Sequence, residues 1–230
     1  VASDRVSSFD RVLNRRIPFK GQILNKFNEW AFEKTEDIIP NAAVESPHPN
    51  VVVQKYYKNI MVECVVRGYL WGSLAGEYEN GIRNIYGIEM PEGLLRYEKI
   101  SEPLFTPTTK ADDHDAPMTY EEVEKKLGKV LANKVRDTSI ALYKRGAELA
   151  LEKGLIFIDT KFEFGLDKKG EIYLIDEANT PDSSRYCTVE EYQKFEEIKS
   201  QSGNYKDVSD LLKDNPLLKI KELSKQFVRD

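Results

Sequence analysis

Asp159, Lys161 and Glu163 alternate along one stretch, Leu155–Leu166, whose first half is apolar. In an extended strand alternate side chains share a face. Acid, lysine and acid therefore project together, while Thr160, Phe162 and Phe164 point the other way. Continued backwards, the alternation places Ile156 and Ile158 with the phenylalanines, and Leu155 and Phe157 with the ionic set. A second apolar run, Ile172–Ile175, ends in Asp176 and Glu177, and a polar loop then leads to Asp182 and Arg185. One or two carboxylates can hold Mg²⁺, which keeps its remaining positions for water and nucleotide phosphates. A lysine between them balances charge and contacts phosphate. This is the chemistry of a divalent-metal and phosphate site. The alternative is a solvated hairpin whose surface ion pairs contribute about 0–1 kcal/mol each.

The elements that must position these groups start with that hairpin. Leu166–Gly170 forms its turn, with a glycine available for a positive φ. A second constellation follows a predicted strand, Ile60–Val66, on which Glu63 and Arg67 share a face without having to be partners. Gly68 and Gly72 allow close approach of the backbone to a ligand. Ser73 precedes Leu-Ala-Gly-Glu-Tyr, so it reads as the N-cap of a helix whose free N–H groups can receive an anion. Arg67 adds a planar fork for phosphate or carboxylate; a capped helix beside a surface arginine is the alternative. Near the start, Asp4 and Arg5 precede Ser7, Ser8 and Asp10 in a polar segment suited to helix capping or to a binding loop.

Asp-Thr-Lys-Phe-Glu-Phe-Gly at 159–165, Asp-Glu at 176–177, Thr-Pro-Asp-Ser-Ser-Arg at 180–185 and Val-Glu-Cys-Val-Val-Arg-Gly-Tyr-Leu-Trp-Gly-Ser at 62–73 together resemble the SAICAR synthetase family of purine biosynthesis. The resemblance runs from Val1 to nearly the end of the chain. It implies an ATP-dependent ligase that joins L-aspartate to carboxyaminoimidazole ribonucleotide after phosphorylating its carboxylate, with ATP and Mg²⁺ required. On that basis Glu163 and Asp176 are the metal ligands, and Glu63 and Lys161 serve ATP. Asp4, Arg5, Arg67, Ser73, Lys110, Asp159, Asp182 and Arg185 face the imidazole nucleotide or the amino acid. Lys110 stands in Thr-Lys-Ala at 109–111, and His114 and Asp115 match a family His-Asp pair with altered spacing. A kinase acting on a small polyol and a non-catalytic nucleotide binder are the rival readings.

The resemblance also implies an α+β fold of two lobes, antiparallel sheets with packed helices, similar to ATP-grasp and kinase-like architectures. Residues 1–66 would be part of an N-terminal nucleotide-binding lobe and 67–230 a larger lobe. Val1–Arg5 reads like the end of a strand, so segments are expected to be missing at both ends. Helices are expected over Gln22–Glu33, from Thr119 with a capping box, over Val130–Lys153 closed by Gly154, over Val189–Lys199 and Val208–Leu212, and from Leu217 onward. Ile23, Leu24, Phe27, Trp30, Ala31 and Phe32 form the core stripe of the first helix. Val51–Tyr56 reads as a strand and Asn80–Leu104 as connecting structure.

Composition narrows the class. With 230 residues, 40% hydrophobic and 32% charged, the chain can bury a sizeable core. A net charge of −5 without a basic block argues against a nucleic-acid surface. Cys64 and Cys187 form no CxxC pair. No apolar run reaches the roughly 20 residues of a membrane span, and no signal peptide is visible. A cytoplasmic enzyme acting on small molecules, without a membrane partner, fits best; homo-oligomerisation is left open, and His48 has no assigned role.

Overall fold

The computed structural model describes residues 1–8, 11–12, 14–110, 115–201 and 220–224. A small antiparallel pair, β1 (Ser7–Ser8) and β2 (Arg11–Val12), precedes helix α1 (Lys20–Thr35). An exposed hairpin follows, β3 (Ala43–His48) with β4 (Val51–Gln54), and then β5 (Lys58–Asn59) and β6 (Val62–Tyr69). Helix α2 (Gly72–Glu79) leads into β7 (Asn84–Ile85) and β8 (Ile88–Glu89), then β9 (Lys99–Phe105) and β10 (Thr108–Thr109). Helices α3 (Tyr120–Leu127) and α4 (Lys129–Leu151) precede β11 (Leu155–Leu166), β12 (Ile172–Ile175), β13 (Ser184–Thr188) and α5 (Val189–Gln201). The fold is mixed, with antiparallel sheets and packed helices, as expected.

Seven of these strands form one antiparallel sheet around β11. One edge of β11 pairs with β6 and β5, the other with β13 and β12. Strand β6 pairs on its far side with β10 and β9. It runs unbroken through residues 66 and 67, where the sequence suggested a division between lobes. Phe157, Phe162 and Phe164 are fully buried on the face covered by α4, with Val62, Cys64 and Val66 of β6. Burying each phenylalanine contributes about 1.5–3 kcal/mol, which fixes the opposite, polar face as well.

The simple alternation fails at one point. Phe157 pairs with Tyr186 and Asp159 with Arg185, so two residues of β11 advance against one of β13. This β-bulge shifts the side-chain phase. Phe157 therefore joins Phe162 and Phe164 in the core under α4, whereas Ile158 packs on the other face with Tyr69, Trp71 and Phe195. The ionic face continues the Ile158 side, not the Phe157 side as alternation alone implied.

Several local expectations hold. Thr119 and Glu122 make the reciprocal capping box of α3. Gly170 has φ 84° in the β11–β12 turn, where Asp167 Oδ1 accepts from the amides of Lys169 and Glu171. Others change. In α1 Leu24, Ala31 and Phe32 are buried but Ile23 is 60% exposed, because Asn25 and Asn28 take inward positions. Residues 80–104 include β7, β8 and most of β9, and their Ile85, Met90 and Ile100 form a separate core with Leu70, Leu74 and Tyr78. Residues 220–224 are not helical: Leu223 bridges antiparallel to Tyr186 and so extends the sheet. The helix expected over Val208–Leu212 lies outside the described residues, as does His114.

Candidate active site

The polar face of β11 organises the site. Register sets Asp159 directly opposite Arg67 of β6 on one side and Arg185 of β13 on the other. Both arginines converge on Asp159 Oδ2, Arg185 Nη1 at 2.7 Å and Arg67 Nη1 at 3.4 Å. The aspartate side chain is 9% exposed. Arg67 is further fixed by Thr106 Oγ1, which accepts from Nε at 3.0 Å, and by Ser73 Oγ, 3.4 Å from Nη2. Ser73 is not the N-cap: α2 starts one residue earlier, at Gly72, with Trp71 at the cap position and no side-chain cap. Gly72 has φ 58°, and a Cβ there would lie 2.5 Å from Arg185 Nη1. Only glycine combines that turn with room for the guanidinium.

Farther along the strand the charges form a tighter group. Lys161 Nζ donates to Glu63 Oε1 at 2.5 Å and lies 3.4 Å from Glu163 Oε1. Glu163 also accepts from Lys110 and, at 3.0 Å, from Asn59 Nδ2. Burial pushes the Glu63 carboxyl up, against the pull of Lys161, with the charge of Asp115 adding to the rise. Glu163 is also desolvated, but its hydrogen bond from Lys110 and the charges of both lysines hold it below the usual carboxylate range. Burial opposes the charge of Lys161, yet its bond to Glu63 raises its pKa.

Asp176 ends β12 at φ 64° and is held there by its backbone. Gln54 Nε2 donates to its carbonyl at 2.8 Å, and its N–H donates to Gln54 Oε1 at 3.3 Å. Burial and then the neighbouring charge of Glu163 raise its pKa. Two neighbouring carboxylates, Glu163 buried and Asp176 open to solvent, suit a hard cation. Among the described residues no group of three or more His, Cys, Asp or Glu is placed to hold a metal; Mg²⁺ takes one or two carboxylates when phosphates and water complete its shell.

Asp176 also borders a cavity of about 660 Å³, lined in part by Arg5, Lys20, Gln54, Glu177 and Asp182. Lys20 Nζ donates to Asp182 Oδ2 at 2.7 Å. Burial raises the Glu177 carboxyl, which accepts from Thr180 Oγ1 at 2.7 Å. Arg5, Asp176 and Asp182, distant in sequence, thus share one cavity. The Asp4 carboxylate accepts from the amides of Phe19 and Gly21 at 3.3 and 3.0 Å, at the start of α1. His48 Nδ1 accepts from Asn50 in the β3–β4 turn. Sequence reasoning missed Thr106, Lys20, Gln54 and Asn59, single polar residues whose partners are supplied by tertiary pairing.

The family model for SAICAR synthetase matches residues 1–213. A phosphoribosylaminoimidazole-succinocarboxamide synthase of Bacteroides fragilis is 43% identical over 238 residues, covering 100% of this chain and 68% of the relative. One from Actinobacillus succinogenes is 44% identical over 209 residues, covering 84% of this chain and 73% of its own length. Among solved structures, the SAICAR synthase from Saccharomyces cerevisiae complexed with SAICAR superposes with a TM-score of 0.74 at 32% identity, over 81% of this chain and 69% of that one. A SAICAR synthetase in complex with ADP shares the fold at a TM-score of 0.69 and 21% identity, over 82% of this chain and 76% of that one.

Proposed function

Since the chain belongs to the SAICAR synthetase family, we propose that the polar face of β11 and the adjoining cavity carry that family's reaction through the residues assembled there. The protein is an ATP-dependent ligase of de novo purine biosynthesis. It joins L-aspartate to the carboxylate of 5-amino-1-(5-phosphoribosyl)imidazole-4-carboxylate as an amide, giving SAICAR, ADP and phosphate.

A free carboxylate acylates amines poorly because an oxide would have to leave. In the proposed path a carboxylate oxygen attacks the γ-phosphorus of ATP and ADP departs, leaving an acyl phosphate. The aspartate amine then attacks the acyl carbon, phosphate leaves with the bonding pair, and the new amide loses a proton. Arg67 and Arg185 address the anionic groups of the imidazole nucleotide, with Asp159 fixing both forks and Ser73 on the Arg67 side. Lys161 and Lys110 offer ammonium donors to phosphate, and Glu63 keeps Lys161 charged and in place. Glu163 and Asp176 would hold Mg²⁺, which supplies charge neutralisation for the moving phosphoryl group. Arg5, Lys20 and Asp182 border the cavity beside them. The proposed setting is the cytoplasm, a reducing compartment in which the free thiols of Cys64 and Cys187 persist; among the described residues no helix is long and apolar enough to cross a membrane.

The observation that carries this reading is the convergence of Arg67 and Arg185 on Asp159, next along one strand face to Lys161 and Glu163. The test is ADP release measured with Mg²⁺ and ATP while each other substrate is omitted in turn. Release should require both aspartate and the imidazole carboxylate. ADP formed at full rate without aspartate, with phosphate retained on another acceptor, would point to a kinase instead.

A further inference from the structure

Arg185 has a second anchor that no signature motif contains. Residues 220–224 return to the sheet, where Tyr186 N donates to Leu223 O at 3.2 Å and Leu223 N to Tyr186 O at 2.6 Å. That pairing carries the neighbouring Glu222 to the open side of Arg185. Its Oε2 accepts from Trp71 Nε1 at 2.8 Å and lies 4.0 Å from Arg185 Nε, while Oε1 accepts from Ser224 Oγ at 2.6 Å. A separation of 4.0 Å is too long for a hydrogen bond but close enough for charge pairing. The Glu222 side chain is only 17% exposed, so its carboxylate is held in one place.

The guanidinium of Arg185 is thereby bounded on three sides. Asp159 takes Nη1, Gly72 closes one flank, and Glu222 stands at Nε. Among the described residues Nη2 makes no hydrogen bond to protein, which leaves its N–H groups open to a ligand. Trp71 stands at the start of α2 and Arg185 on β13, so Glu222 ties residues 220–224 to both. We propose that Glu222 is a positioning residue for the ligase reaction, setting the orientation of Arg185 toward an anionic group of the imidazole nucleotide. This rests on the assignment of Arg185 to that substrate.

The test compares Glu222→Gln, Glu222→Ala and Arg185→Lys by steady-state kinetics, together with thermal unfolding. Glu222→Gln preserves acceptor and donor shapes for Trp71 and Ser224 while removing the charge. It should raise the KM for the imidazole nucleotide by about fivefold, and Glu222→Ala by more, with the KM values for ATP and aspartate within about twofold of the parent. In an Arg185→Lys background the same change should add less than about twofold, because the two residues act as a unit. If Arg185→Lys raises the nucleotide KM but neither Glu222 variant does, the positioning role is wrong and the Arg185 assignment survives. If Arg185→Lys leaves that KM unchanged, the substrate assignment itself fails and the inference goes with it. Equal increases in all three KM values with a lowered melting temperature would make Glu222 a structural strut and overturn the proposal.

Discussion

Arg67 donates from Nε, Nη1 and Nη2 to three different elements, through Thr106, Asp159 and Ser73. A lysine keeps the charge but has neither the planar fork nor the reach to satisfy all three acceptors. Arg67→Lys should therefore raise the KM for the imidazole nucleotide by roughly tenfold and that for ATP much less. Equal losses for both substrates would return Arg67 to a purely structural ion pair. For the carboxylates, Glu163→Gln and Asp176→Asn should each lower kcat by about a hundredfold or more with circular dichroism unchanged, since an amide oxygen binds a hard cation weakly. Near-parental turnover at limiting Mg²⁺ would remove the substituted residue from the metal site. The individual roles came from the family resemblance, whereas Asp159, Lys161 and Glu163 could be picked out from type and spacing, because alternation along one strand needs no knowledge of the fold. Their partners could not. Lys20 meets Asp182 across 162 positions, and Asn59 reaches Glu163 across 104; those pairings are products of the tertiary fold. Asp4 shows the reverse case, a charged residue in a motif-like stretch whose observed contacts are to helix amides.

Strand β11 and helix α4 were both legible as elements, from an apolar run and from a periodic stripe closed by Gly154. What the pattern concealed was the bulge after Phe157, which exists only because β13 pairs there with one residue fewer. A bulge has no local signature when the extra residue is an ordinary isoleucine. Strand β9 was hidden for a related reason: it is an edge strand with Pro103 inside it, paired only to β6 and with a register break. The packing of α4 on the sheet depends on a close approach at Gly68. A Cβ there would lie 1.9 Å from the Tyr143 hydroxyl and 2.7 Å from its ring carbon Cζ. That hydroxyl donates to Phe157 O at 2.6 Å, at the residue where the bulge begins. Gly68→Ala should consequently destabilise the fold by about 2–4 kcal/mol, since neither helix nor strand can move without breaking that bond. Adding Tyr143→Phe should recover part of the loss, because the closest contact goes while the ring carbon remains. Strict additivity of the two substitutions in denaturant unfolding would show that the helix and strand do not meet in this way.

Across the whole molecule the net charge is −5, yet the site gathers five ionisable groups, Glu63, Lys110, Lys161, Glu163 and Asp176, around the polar face of β11. Burial raises Asp176 and Glu177, and the charge of Glu163 raises Asp176 further. A carboxyl raised on folding contributes stability that is fully present below its unfolded pKa and is lost as pH rises through its folded value. Ligand-free protein therefore gives up stability at these two residues as pH rises above their ordinary values of 3.8 and 4.5. Glu163, lowered on folding, acts in the opposite sense: its contribution is present above 4.5 and lost as pH falls through its folded value. A divalent cation binding with nucleotide needs the ionised acids, so it should restore what Asp176 costs at neutral pH. The rise in melting temperature produced by Mg²⁺ with a non-hydrolysable ATP analogue should be larger at about pH 7.5 than at about pH 5. Asp176→Asn should raise the ligand-free melting temperature slightly at the higher pH, because solvent screens this exposed carboxylate, and flatten the pH dependence of the ligand increment. The variant would thus be more stable and less active, a separation expected when a charge crowded by a neighbouring carboxylate is kept for its ligand and not for the fold. Equal increments at the two pH values in the parent protein would mean that the cation does not engage these carboxylates.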